Sequence, residues 1–363
     1  MDIEKMGLHK SVARVKNILY MDTDITIFTA EVNNIESRCI NYNQMTGIVK
    51  IGDFVILNTT AVELGLGTGG YHFVMAVPEA EIDEVVLSGR DIKLNYLPMQ
   101  ICCKNAEAEE SEYHDLFEKF TSLEDMPVII GSLHSMLAPT VLYLNHINEK
   151  ARICYIMTDG AALPIWISNS VRELKRRGII STTITCGNAI GGDFECVNIY
   201  TGMIAAREIA KADVAIVCMG PGIVGTATKY GHKGLEQGQI IDAVNTLGGT
   251  PVAIPRISFS DKRERHWGIS HHSLTTLTEI CKTAANIAIP ENIAPEKKNI
   301  LKQQIDASEL SIKHKIYYVN VMDTDCIFDG NDDLINTMGR GYREDKEYFL
   351  TCAAAAKLVQ KLV

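Results

Sequence analysis

Residues 212–272 read ADVAIVCMGPGIVGTATKYGHKGLEQGQIIDAVNTLGGTPVAIPRISFSDKRERHWGISHH, and the succession of patterns in this stretch decides the fold. It opens on an apolar run with the near-continuous hydrophobicity of a strand buried on both faces. Gly220, Gly222, Gly225, Gly231 and Gly234 then come too densely for a regular element. EQGQIIDAVNTLG has a helical pattern, and TPVAIPRIS is a second buried strand. Behind that strand Asp261, Arg263, Glu264, Arg265, His266, His271 and His272 crowd into one short segment. Strand, glycine loop, helix, strand is a βαβ unit. In open α/β sheets ligands bind outside the carboxyl ends of the strands, so a candidate site belongs at that edge.

Working upstream, strand-like runs alternate with helical ones. MPVIIG, ARICYIMTDG and STTITCG read as strands, with helices in SMLAPTVLYLNHINEK, SNSVRELKRRG and VNIYTGMIAAREIAKA. This alternation predicts a mainly parallel, doubly wound, Rossmann-like sheet over residues 113–289. The first 103 residues differ. SVARVKNILY, ITIFTAEV, SRCINY, GIVKIGDFVILN and YHFVMAV alternate with turn signals and predict a small antiparallel β-barrel or sandwich. Gly65, Gly67 and Gly70 satisfy G-x-G-x-x-G, but the β-like YHFVMAV follows where a dinucleotide site needs a helix. A tight connection is the better reading. The acidic stretch 104–112 is expected as a solvated linker, and residues 290–363 as a C-terminal segment packing on the α/β domain.

With 363 residues, 46% of them hydrophobic and 22% charged, the chain has ordinary globular composition. A formal net charge of −10 argues against a protein that grips nucleic acid. The ten cysteines are scattered without a C-x-x-C pair, which fits a reducing compartment. No signal-peptide pattern opens the chain, and no run approaches the ~20 apolar residues of a membrane span. A cytoplasmic protein without a membrane partner, forming a homo-oligomer, is expected.

Several polar loops follow the predicted strands. Ser132 and His134 follow the first of the α/β domain, Asp159 and Gly160 the second, and Glu195 lies beyond the third. Gly220, Gly222, Gly225 and Thr226 make a candidate phosphate cradle, because unpaired N–H groups at such turns attract anions. They could equally be a tight loop packed against the sheet. Arg256, Arg263 and Arg265 are candidate anion ligands, the planar guanidinium suiting phosphate or carboxylate. The bland alternative pairs them with Asp261 and Glu264 at the surface. His134, His266, His271 and His272 are candidates for acid–base chemistry, with Asp159 or Glu195 orienting a histidine. A divalent metal on Asp159, Asp193 and Glu195 is a further option. No H-E-x-x-H zinc pattern and no G-x-S-x-G elbow is present.

The phrases GSLHS, MTDGAALP, GNAIGGDFECVN, GPGIVGT and FSDKRERHWGISHHSLT, in this order, resemble an uncharacterised bacterial family catalogued only as a domain of unknown function. LGLGTGGYHFV extends the likeness toward the amino terminus. The resemblance implies a standalone bacterial protein and brings no activity with it.

The residues themselves point to an enzyme acting on a small phosphorylated or nucleotide-like metabolite, by hydrolysis or group transfer, at the carboxyl edge of the sheet. The alternative is a non-catalytic ligand sensor or adaptor using the same glycine-rich cleft. Convergence of histidine with a carboxylate distinguishes the first from the second.

Overall fold

The computed structural model describes residues 7–66, 69–78, 89–261, 263 and 266–362. Chain contacts define two compact units, one of Met1–Ser88 with Asn95–Ile101, the other of Gly89–Leu94 with Cys102–Val363.

In the first unit five strands close into a barrel: β1 (Lys10–Met21), β2 (Ile25–Val32), β3 (Ile35–Tyr42), β4 (Phe54–Asn58) and β5 (His72–Ala76), in the order β1-β2-β3-β5-β4. Closure removes exposed strand edges. It depends on β1, whose first half pairs with β4 and whose second half pairs with β2. Register irregularities between Val15 and Asn17 and between Ile18 and Tyr20 bend a strand in this way. Val15, Phe28, Cys39, Val55 and Leu57 fill the interior. Gly69 and Gly70 take positive φ just before β5, so the glycine run leads into a strand; Gly67 lies outside the described residues.

The second unit is built on eight strands: β6 (Pro127–Gly131), β7 (Ile153–Thr158), β8 (Ile180–Cys186), β9 (Phe194–Cys196), β10 (Val214–Met219), β11 (Thr250–Ile254), β12 (Asn286–Pro290) and β13 (Lys315–Val319). They run parallel in the order β9-β8-β7-β10-β6-β11-β12-β13. Every residue of β6, β7 and β10 is buried, because helices cover both faces. Period-two alternation sorts them. Ile129, Tyr155, Met157, Ile216 and Cys218 pack under the helices Leu137–Ile147 and Lys346–Leu362. Val128, Ile130, Ile156, Ala215 and Val217 face Ile199–Glu208 and Glu236–Thr246 on the other side. The fold is a barrel followed by a Rossmann-like α/β domain.

Two differences from the sequence reading stand out. The stretch 104–112 belongs to the second unit: Asn105 and Ala106 are buried, and the Ala106 N–H donates to the Glu195 carbonyl at 2.8 Å. Its acidic residues advertised solvent while its Asn-Ala pair supplied an edge contact to β9. The C-terminal segment also does more than pack on the sheet, since it contributes β13 as an edge strand.

The topology positions the site. The chain leaves β6 toward β7, β8 and β9, returns to place β10 between β7 and β6, and only then builds outward through β11. The carboxyl ends of β10, β6 and β11 are therefore neighbours at the point where the winding direction changes.

Candidate anion-binding site

Arg256 leaves the end of β11 with its backbone fixed. Its N–H donates to Ser273 Oγ at 2.9 Å, and its carbonyl accepts from the Ser270 N–H at 2.9 Å. The short strands Ile257–Ser258 and Gly268–Ile269 pair antiparallel and fold the following segment back over the edge. Ser270 then caps the helix His271–Thr275, which runs into a π-helical turn, Thr276–Ile280. Such turns recur at functional sites.

This hairpin brings His266, His271 and His272 together with a fourth imidazole, His232, from the glycine loop after β10. The rings of His232 and His272 stack at 4.0 Å and 19°, His271 lies 4.0 Å from His272, and His266 lies 4.8 Å from His271 and 5.5 Å from His272. Gly225 bridges His232 in antiparallel fashion. A Cβ there would fall 3.8 Å from His272 Cε1, so Gly225 forms part of the cluster's wall. Thr226 holds the loop, with its hydroxyl donating to the Gly231 carbonyl at 3.0 Å.

Asp261 supplies the carboxylate of this group. It accepts from Arg256 Nη2 at 3.1 Å and from Arg263 Nε and Nη2 at 3.0 Å each. The Arg263 bonds, with help from Arg256, hold its carboxyl well below the usual range. Three buried polar atoms in this neighbourhood have no hydrogen-bond partner among the described residues: Arg256 Nη1, His232 Nε2 and His272 Nε2. Buried polar groups are almost always satisfied. Arg256 and His232 are each only 7% exposed, so three such groups in one neighbourhood are candidates to contact a polar ligand.

His232, His266 and His272 are all held below the ordinary histidine range. Burial lowers His266 to about 4 and His272 to about 3, with Arg256 and the neighbouring imidazoles adding repulsion. Burial lowers His232 as well. These shifts have a sign in stability. A histidine depressed in the folded state stabilises it fully above the unfolded value of about 6.5, and the contribution is lost as pH falls toward the folded value. We expect the melting temperature to fall steeply from about pH 6.5 to about 4, and His272→Gln to flatten that slope. Parallel melting curves for the two proteins across that window would contradict it.

Other sequence candidates lie apart from this cluster. His134 Nε2 meets Ser168 Oγ at 2.7 Å, the hydroxyl that caps the helix Asn169–Arg176. Burial lowers His134 to about 4. Its imidazole lines a separate cleft of about 330 Å³ with Gly220 and Gly222, so the glycine loop divides between two places. A Cβ at Gly220 would fall 2.9 Å from Leu163 and Met157, the mark of close packing, whereas Gly222 needs its positive φ of 104°. Ser132 sits beside Gly234, next to His232. Glu195 is engaged by Lys93, Thr185 and the Gly191 N–H. Arg265 lies outside the described residues.

Asp159 is exposed at the end of β7. Near it, Glu236 accepts from Thr158 Oγ1 at 2.8 Å, and burial, aided by Asp159, pushes its carboxyl up to about 7. Gly160 packs against it, since a Cβ there would fall 2.8 Å from Glu236 Oε2. Sequence reasoning missed both Glu236 and His232. A histidine inside a glycine-rich turn at a strand's carboxyl end was a usable signal for the second; the first had none, because its partner is far away in sequence. Among the described residues no group of three or more His, Cys, Asp or Glu side chains is arranged to hold a metal ion.

Residues 38–356 match the family model described as Protein of unknown function (DUF3866), and the chain belongs to that family. No curated protein matches it.

Proposed function

We propose that this member of the family is an enzyme acting on a small phosphorylated or nucleotide-like metabolite, by hydrolysis or group transfer, at the carboxyl edge of the parallel sheet. The observation that carries the reading is the unspent Arg256 Nη1, buried within electrostatic reach of His272, with two unspent imidazole nitrogens in the same cluster. Arg256 binds the anionic group. Neutral His232 or His272 can take a proton from an attacking water or hydroxyl, a role that a protonated imidazole could not fill. Asp261 keeps the guanidinium in place through Nη2 and leaves Nη1 for the ligand. The gathering of four imidazoles, with His266 in the field of Asp261, favours the enzyme over the sensor. Ten free thiols support a cytoplasmic setting. No helix among the described residues is long and apolar enough to cross a membrane.

The test needs no knowledge of the natural substrate. Native protein is treated with diethyl pyrocarbonate with and without dimethyl phosphate or cyclic AMP, and the carbethoxylated histidines are mapped by mass spectrometry. Either ligand should protect His271 and His272. Turnover of bis(p-nitrophenyl) phosphate should fall by roughly 10²-fold or more in His272→Gln, the scale of acid–base catalysis. Absence of both protection and turnover would remove the reading.

A further inference from the structure

The charge that the described residues place around Arg256 can be counted. Arg256 shares Asp261 with Arg263. A second carboxylate, the fully buried Asp345, lies within its electrostatic reach. Asp345 accepts from Ser258 Oγ at 2.8 Å through both oxygens, and from Arg340 Nε at 3.1 Å and Nη2 at 3.0 Å. Burial raises the Asp345 carboxyl, and the Ser258 hydroxyl and the Arg340 guanidinium paired with it pull against that rise. Among the described residues the ladder Arg263–Asp261–Arg256 holds two arginines against one carboxylate and carries one net positive charge. Of the Arg256 guanidinium, Nη1 is buried without a partner.

His232, His266 and His272, lowered by burial, do not add to that charge. Four rings lie in one cluster, its neighbouring members 4.0 to 5.5 Å apart, and a second positive charge at such spacing is opposed by the first and by Arg256. They offer hydrogen bonds without a formal charge. A buried charge is tolerated only where it is compensated.

Resting on the anion-binding reading above, we infer that the site selects a singly charged oxyanion, a phosphodiester or a carboxylate, over the dianion of a phosphate monoester. One negative charge neutralises the ladder. A second would stand uncompensated against Asp261, and would have to pull a proton onto an imidazole whose surroundings oppose it.

The test is calorimetric titration of the full chain with dimethyl phosphate, acetate and methyl phosphate between about pH 6.5 and about pH 8, above the monoester's second ionisation near about 6. Dimethyl phosphate or acetate should bind with level affinity over this range, and the one that binds names the chemical source. Methyl phosphate should weaken about tenfold per pH unit, because only its shrinking monoanion fraction fits. Asp261→Asn, which adds one net positive charge while keeping the hydrogen-bonding shape, should restore dianion binding at about pH 8. Methyl phosphate binding that holds steady or tightens with pH in the native protein would overturn the inference and leave the anion site standing. Failure of all three probes to bind would instead overturn the anion reading itself, and the inference with it.

Discussion

Replacing Arg256 with glutamine is expected to weaken oxyanion binding by about 10- to 100-fold while the protein stays folded. The magnitude is that of one hydrogen bond to a charged group, roughly 1.5–3 kcal/mol, spent on the ligand through Nη1. Folding should survive for two reasons. The backbone of Arg256 is held by Ser270 and Ser273 independently of its side chain. Asp261 keeps both bonds from Arg263, so its carboxylate is not left bare. Arg256→Lys should rescue little, because a single ammonium cannot serve Asp261 and the ligand space together as a planar fork does. Calorimetry with dimethyl phosphate, paired with a melting curve, decides the matter. Unchanged affinity in Arg256→Gln would show that the unspent Nη1 is not a ligand contact.

The parts of this site that were legible in the sequence are those in which chain order is also spatial order. Arg256, Arg263, His266, His271 and His272 lie within one hairpin, so their proximity follows from one strand and one turn. The strand ADVAIVCMG was legible because helices cover both faces of the sheet, which forces every position to be apolar. In the barrel, one-sided burial left alternation instead. Strand order was not legible. Nothing local in VAIVCM says that it returns between β7 and β6, and that insertion helps set which loops are neighbours. Single polar residues were equally opaque. His134 looked like a candidate acid or base, but a buried hydroxyl at Ser168 takes its Nε2. His232 was hidden among glycines whose backbone drew the attention. Glu195 was read as a candidate for catalysis or metal ligation, and its principal partner comes from residue 93.

That partnership leads to the largest stability effect we expect: Lys93→Met should cost about 3–5 kcal/mol, the usual consequence of leaving one member of a buried ion pair behind. The side chain of Lys93 is 4% exposed and that of Glu195 17%. The ammonium donates to Glu195 Oε2 at 2.5 Å, to the Ala189 carbonyl at 2.8 Å and to the Thr185 carbonyl at 3.3 Å. Glu195 also accepts from Thr185 Oγ1 at 2.7 Å and, through Oε1, from the Gly191 N–H at 2.6 Å. Every donor of the lysine is therefore spent on the turn that joins β8 to β9. Removing the lysine leaves a carboxylate with two neutral donors and no counter-charge, and strands two carbonyls. Against the roughly 5–15 kcal/mol that holds a typical domain, such a loss is severe. Lys93→Met combined with Glu195→Leu should recover part of it, since replacing both members of a buried pair by apolar groups is often close to neutral. Chemical denaturation of the two variants separates the outcomes. If Lys93→Met unfolds at the denaturant concentration of the native protein, the pair is not structural and Glu195 is free for chemistry. If the single variant is crippled and the double variant partly restored, Glu195 serves the fold, and oxyanion binding by the double variant should match that of the native protein.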